Sequence, residues 1–138
     1  MFARSALVLL LIAAATPAFA QAVLVRKSTV TAAMPAPDDR ARQWLVLVDD
    51  KNYAQSWTDA SRGFQGKQKA ESWARGEAAK REPLGAVASR DLKSIDLGKA
   101  NIAVIRYDTV FAHKAQAVET VTLAFENGGW SVTGYSVD

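Results

Sequence analysis

The stretch REPLGAVASR, from Arg81 to Arg90, is where the chain changes its periodicity. Before it, apolar residues recur at helical spacing; after it, Val, Ile, Thr, Tyr and Phe dominate. Pro83 cannot supply the backbone N–H that a continuing helix needs, and Gly85 follows two residues later. The stretch therefore predicts a corner at which a helical half ends and a sheet begins.

Three helices are predicted upstream of this corner. The first lies in PDDRARQWLVLVDD, where Asp38 is placed to cap it and apolar residues recur at i, i+3, i+4 and i+7: Ala41, Trp44, Leu45, Val48. The second lies in NYAQSWTDAS, with Tyr53 and Trp57 on one side, and SRGFQG after it is predicted to be a break. The third lies in KQKAESWARGEAAKRE, where the spacing of Glu77 and Arg81 predicts an ion pair.

Four strands are predicted downstream of the corner. They cover residues 86–95, 101–112, 117–126 and 130–137. Asn127-Gly128 is the strongest hairpin pattern, because both residues tolerate the positive φ of a tight turn, and it places Trp130 beside Phe125. The short connections favour an α+β fold, with three N-terminal helices packed on a four-stranded antiparallel meander.

The N-terminus has the pattern of an export signal. Residues 1–20 combine a basic start, an apolar run and a small-x-small ending, Ala18-Phe19-Ala20, which predicts a cleaved signal peptide. Residues 21–37, with two prolines, are expected to form a flexible leader, and residues 38–138 a single domain. We therefore expect a periplasmic protein that leaves the membrane after signal cleavage.

Composition argues against several function classes. The net charge of +3 is small and its basic residues are dispersed among acidic ones, so no nucleic-acid partner is expected. The chain has no cysteine, which excludes thiol chemistry and Cys-type metal sites. His113 is the single histidine, and we expect an exposed hairpin residue there. We expect no metal and no cofactor.

Several motifs, in order, resemble those of one family. They are WLVLVDDKNYAQSW, REPLG, ETV and GGWSVTGY. Over residues 40–137 the chain resembles domain of unknown function 4019, a group of small exported bacterial proteins. The resemblance implies a cystatin-like or nuclear-transport-factor-2-like roll, a cone whose mouth often holds a pocket. It implies no reaction, ligand or catalytic residue.

Aromatic and acidic residues supply the candidate site on the helical half. Tyr53 and Trp57 either belong to the core or face the mouth of the roll, where they would contact a ligand. Asp49 lies at a helix C-terminus, where negative charge is unfavourable. It is either a solvated turn residue or a general base whose pKa is raised by burial.

Arg90 is the candidate on the sheet. In a strand it shares its face with apolar residues, and a buried guanidinium needs a partner. Glu119 is the predicted internal partner, and the carboxylate or phosphate of a ligand is the alternative.

Two function classes remain open. The first is a non-catalytic module that binds a small ligand or an envelope protein, as a monomer or homodimer. The second is a small roll-type enzyme that uses a carboxylate as general base on a small organic substrate.

Overall fold

The computed structural model describes residues 35–98 and 101–138. The predicted signal peptide and nearly all of the predicted leader lie outside the described residues. The helical half consists of four helices: α1 Pro37–Asp49, α2 Tyr53–Asp59, α3 Arg62–Lys67 and α4 Ala70–Arg81. A 3-10 turn, Glu82–Leu84, leads into four strands: β1 Val87–Leu97, β2 Ile102–Phe111, β3 Lys114–Glu126 and β4 Gly129–Val137.

The strands form one antiparallel sheet in the order β1-β2-β3-β4. Along β2, every second residue is buried, so the face that carries Ile105 and Tyr107 points toward the helices. α1 contacts β2, β3 and β4, and α2 packs on α4. The structure confirms the predicted α+β arrangement of helices on one face of a meander.

Two details of the helical half differ from expectation. The SRGFQG stretch is not a break, because Arg62–Lys67 forms α3, capped by the Ser61 hydroxyl, which accepts from the Phe64 N–H at 3.0 Å. Its two glycines weaken helix propensity, yet the cap and the buried Phe64 ring favour the helix. Asp38 does not cap α1; its carboxylate accepts from the Tyr107 hydroxyl at 2.6 Å.

The predicted corner is present between α4 and β1. Gly85 has φ of 77°, and a Cβ there would lie 2.8 Å from Cδ2 of His113. The backbone N–H of His113 donates to the Leu84 carbonyl at 2.9 Å, so the β2–β3 turn packs against the corner. A side chain at position 85 would therefore suffer both backbone strain and a clash.

The core fills the space between α1 and the sheet. Its largest fully buried apolar side chains are Trp44, Tyr107, Phe111, Leu45, Ile105 and Leu123. The Trp44 ring packs on Trp73 and Tyr135, and its Nε1 donates to the Ser56 carbonyl at 2.8 Å. The buried indole N–H is thus satisfied, which allows a large aromatic ring to occupy the centre of the domain.

The last hairpin has the predicted turn. Asn127 and Gly128 both have positive φ, 50° and 81°. Phe125 pairs with Trp130 across the strands, with ring centroids 5.4 Å apart.

Within residues 35–98 and 101–138, no helix is long and apolar enough to cross a membrane.

Candidate functional site

Four charged side chains from different elements meet above the inner face of the sheet. Asp49 ends α1, Arg81 ends α4, Arg90 lies on β1 and Glu119 on β3. Tyr135 and Thr109 complete this set, which we call the ion network. Two of the charged side chains therefore come from helix ends and two from strands, and all four lie close together.

Arg90 is bound by two carboxylates. Its Nε donates to Glu119 Oε1 at 2.7 Å, so the predicted pair is present. Its NH1 and NH2 donate to Asp49 Oδ2 and Oδ1 at 2.7 and 2.9 Å. This bidentate salt bridge was not predicted from the sequence. Each guanidinium nitrogen has a carboxylate acceptor, which is the geometry of strong charge-assisted hydrogen bonds.

Arg81 also bridges to Asp49. Its NH2 donates to Asp49 Oδ1 at 2.7 Å, and its NH1 donates to the Tyr135 hydroxyl at 2.9 Å. The ring of Phe111 lies 5.0 Å from the guanidinium carbon. The predicted ion pair with Glu77 is wrong, because the Arg81 side chain extends away from its own helix toward α1 and the sheet.

Glu119 is fully buried and has several donors. Its Oε1 accepts from Arg90 and from the Thr109 hydroxyl at 2.6 Å, and its Oε2 accepts from the Tyr135 hydroxyl. Burial, reinforced by the negative charge of Glu119, raises the pKa of Tyr135. Tyr135 therefore stays a neutral donor, and the carboxylate remains buried without an unpaired oxygen.

The environment of Asp49 argues against its being a general base. Burial alone would raise the pKa of this carboxyl, but the hydrogen bonds and charges of Arg90 and Arg81 outweigh burial and lower the pKa. The lone carboxylate considered from the sequence is thus an ion-paired one. The same contacts explain why a negative charge is tolerated at the C-terminus of α1, where the helix dipole disfavours it.

A cavity of about 200 Å³ opens beside the ion network, at the corner between the helical half and the sheet. We call it the corner cavity. Its lining residues are Val48, Asp49, Lys51, Tyr53, Arg81, Glu82, Gly85 and Ala86. Of the candidate residues, Asp49 and Tyr53 line it, whereas Arg90 lies behind Asp49 and Glu119 lies behind Arg90. Trp57 does not line it; its Nε1 donates to the Gln68 carbonyl at 2.9 Å.

Lys51 is a cavity residue that sequence reasoning missed. Its φ of 61° lies in the left-handed region, which glycine normally occupies at the end of a helix. The Asn52 N–H donates to the Leu47 carbonyl at 2.8 Å and closes the end of α1. A lysine in this conformation costs about 1 kcal/mol relative to an ordinary backbone. The only feature of the sequence that could have singled out Lys51 is its position directly after the first predicted helix.

Glu77 is a second residue that the sequence did not single out. It is 1% exposed, and its Oε1 has no hydrogen-bond partner within the described part of the chain. Nε of Arg81, which lies one helical turn later, is also buried and has no hydrogen-bond partner among the described residues. Burial raises the pKa of Glu77 above its ordinary value of 4.5, despite the lowering effect of Lys80 and Arg81.

The residues that line the cavity include side chains of both charges. Across residues 35–98 and 101–138, no three histidine or acidic side chains are grouped as metal ligands. What the arrangement can do is hold a small molecule against fixed charges of both signs, since Arg81 and Asp49 are oriented by the contacts behind them.

Comparison with known proteins shows the fold and the family. The crystal structure of a putative NTF2-like transpeptidase from Campylobacter jejuni is similar, with a TM-score of 0.50 and 21% identity over 71% of this chain and 97% of that chain. This similarity supports an NTF2-like α+β roll. The comparison with curated proteins gives no match. The model of a family of proteins of unknown function, DUF4019, matches residues 40–135, and the chain belongs to that family.

Proposed function

We propose that the protein is a non-catalytic module that binds a small polar ligand in the corner cavity and works in the periplasm. The observation that supports binding most strongly is the cavity itself, whose wall includes an Asp49–Arg81 ion pair held in place by the rest of the ion network. Fixed polar groups at a concave surface are what orients a ligand.

The size of the cavity sets the size of the ligand. Its volume of about 200 Å³ is below the roughly 300–1,000 Å³ of sites for drug-sized molecules. A nucleotide or an extended peptide would not be enclosed. The ligand is therefore a small molecule, bound by polar contacts to the wall and by the apolar surface of Val48 and Tyr53.

The electrostatics favour binding over catalysis. A general base works best when its pKa lies near the working pH, whereas the pKa of Asp49 is lowered. Glu77 has a raised pKa, but its side chain is almost completely enclosed and is not among the residues that line the cavity. Neither carboxyl therefore combines a suitable pKa with access to a substrate.

Filling the cavity tests the proposal. Ala86 lines it, so Ala86→Leu should occupy part of its volume, whereas Ala88→Leu, at an exposed position of β1, adds the same atoms elsewhere. Native mass spectrometry of protein isolated from the periplasm should show a bound small molecule on the wild type and on Ala88→Leu, and none on Ala86→Leu. Equal occupancy of all three proteins would refute binding in this cavity. A stoichiometric protein partner in place of a small molecule would favour an assembly role.

Export has its own test. The small-x-small ending at Ala18-Phe19-Ala20 leads us to expect a mature protein that begins at Gln21. N-terminal sequencing of protein from the cell envelope measures this directly. An intact Met1 terminus on soluble periplasmic protein would contradict signal cleavage.

A further inference from the structure

The charges that line the corner cavity balance one another. Asp49 and Glu82 are negative, and Lys51 and Arg81 are positive. The ion network behind the wall is balanced too, since Arg81 and Arg90 face the carboxylates of Asp49 and Glu119. A ligand with a net charge would therefore leave that charge uncompensated in a partly enclosed site, which is unfavourable.

The arginine behind the wall is not available to an incoming anion. All three nitrogens of Arg90 already donate to Asp49 or Glu119 at 2.7 to 2.9 Å. A phosphate or sulfate that displaced Asp49 would expel a carboxylate held by two arginines. The anion alternative considered for Arg90 from the sequence is thus disfavoured by the geometry.

The cavity wall retains both a hydrogen-bond acceptor and hydrogen-bond donors that can contact a ligand. Oδ2 of Asp49 accepts from a single described nitrogen, NH1 of Arg90, and the Asp49 side chain is 25% exposed. Arg81 is 5% exposed and lines the cavity, and its NH1 and NH2 each donate to a single described acceptor, Tyr135 and Asp49. Lys51 is exposed and lies among the residues that line the same wall. The wall thus offers an acceptor for a cation and donors for an anion.

We infer that the ligand of the corner cavity is a small zwitterion of the amino-acid type, whose ammonium group pairs with Asp49 and whose carboxylate pairs with Lys51 and Arg81. This inference rests on the proposed function and names the ligand class for the same site. A zwitterion is neutral overall, so it satisfies both signs of the wall without adding charge. The cavity volume of about 200 Å³, which is smaller than that of sites for drug-sized molecules, limits the ligand to an amino acid with a small side chain.

The test compares matched probes on the full mature chain. L-Alanine carries both charges, propionate only the negative charge, ethylammonium only the positive charge, and propionamide neither. Isothermal titration and thermal shift should show saturable binding of alanine and glycine, with each single-charge or neutral probe weaker by at least about tenfold. Ligand binding to the folded state alone raises the melting temperature.

Two variants locate the binding. Lys51→Gly removes the ammonium group and suits the left-handed backbone, so it should keep the fold while weakening alanine binding by about tenfold or more. Asn127→Gly makes the equivalent change at a positive φ outside the cavity and should bind alanine like the wild type.

The outcomes separate the two proposals. If propionate, ethylammonium or propionamide binds as tightly as alanine, the zwitterion inference is overturned, and the small-ligand module stands. If alanine and glycine fail to bind, the inference is overturned as well, and the ligand found by native mass spectrometry decides whether the cavity binds anything. Unchanged alanine binding by Lys51→Gly would also overturn the assigned contacts.

Discussion

Two buried glutamates of this domain differ in their hydrogen bonding. Glu119 on β3 and Glu77 on α4 are 0% and 1% exposed. Both oxygens of Glu119 are hydrogen-bonded, to Arg90, Thr109 and Tyr135, whereas Oε1 of Glu77 has no partner among the described residues. The difference lies in the donors that surround them, because side chains of β1, β2 and β4 donate to Glu119, whereas no described donor reaches Oε1 of Glu77.

The ion network supplies the hydrogen bonds that stabilise the buried Glu119, and Oε1 of Glu77 receives none from the described residues. Removing one partner of such a network leaves the others uncompensated, which is strongly destabilising. Removing a buried group that has no partner has the opposite sign, since the penalty of enclosing it disappears. We therefore expect opposite effects on stability from substitutions in the ion network and at Glu77.

Arg90→Met should cause the largest loss of stability. It removes the positive charge that pairs with the buried Glu119 and leaves Oδ2 of Asp49 without a donor, and we expect a loss of about 3–5 kcal/mol in the free energy of unfolding. Urea denaturation measures it. In the double-mutant cycle, Glu119→Gln should cost less when Arg90 is already absent. Additive losses would show that Arg90 and Glu119 do not stabilise each other.

Much of the architecture follows from the sequence, and the reason is periodicity. The corner at Pro83 and the Asn127-Gly128 turn depend on neighbours within a few residues. The Arg90–Glu119 pair could be predicted because both residues sit among apolar ones on strands of one sheet.

What the sequence did not reveal depends on long-range geometry. Local spacing pairs Arg81 with Glu77, but the path of α4 brings the guanidinium to Asp49, 32 residues away. Whether a helix end meets a strand is decided by packing, not by a repeat. The left-handed backbone of Lys51 was equally hidden, since glycine or asparagine is the usual residue there.

Asp49→Asn should have the second-largest effect. The amide cannot replace the carboxylate that accepts from both arginines, and we expect a loss of about 2 kcal/mol near neutral pH, less than for Arg90 because Asp49 is partly exposed. The lowered pKa of Asp49 stabilises the fold above the ordinary value of 3.8, and this contribution is lost as the pH falls through the lowered pKa. Denaturation across acidic pH should show the two curves converging; a constant gap would contradict this assignment.

Glu77→Met should stabilise the protein. The substitution removes a carboxyl group with an unpartnered oxygen and retains an apolar chain of similar length, for a gain of about 1–2 kcal/mol. Because the pKa of Glu77 is raised, the wild type loses stability as the pH rises from 4.5 through the raised pKa. The gain should therefore be larger near neutral pH than in acid. A loss of stability would show that Glu77 has a partner, such as an enclosed water.

Lys51→Gly should give the smallest change. Glycine relieves the left-handed strain of about 1 kcal/mol but gains freedom in the unfolded chain, so we expect a net increase of about 0.5 kcal/mol. Asn127→Gly is the matched control, because asparagine already tolerates positive φ and should gain nothing or lose slightly. Denaturant midpoints of the two variants, compared with the wild type, measure the difference. A lysine that lowers stability yet lines a cavity is the pattern of a residue retained for binding. If Lys51→Gly is instead less stable than the wild type while Asn127→Gly is unchanged, the lysine stabilises the end of α1, and the backbone strain is no longer an argument for a ligand.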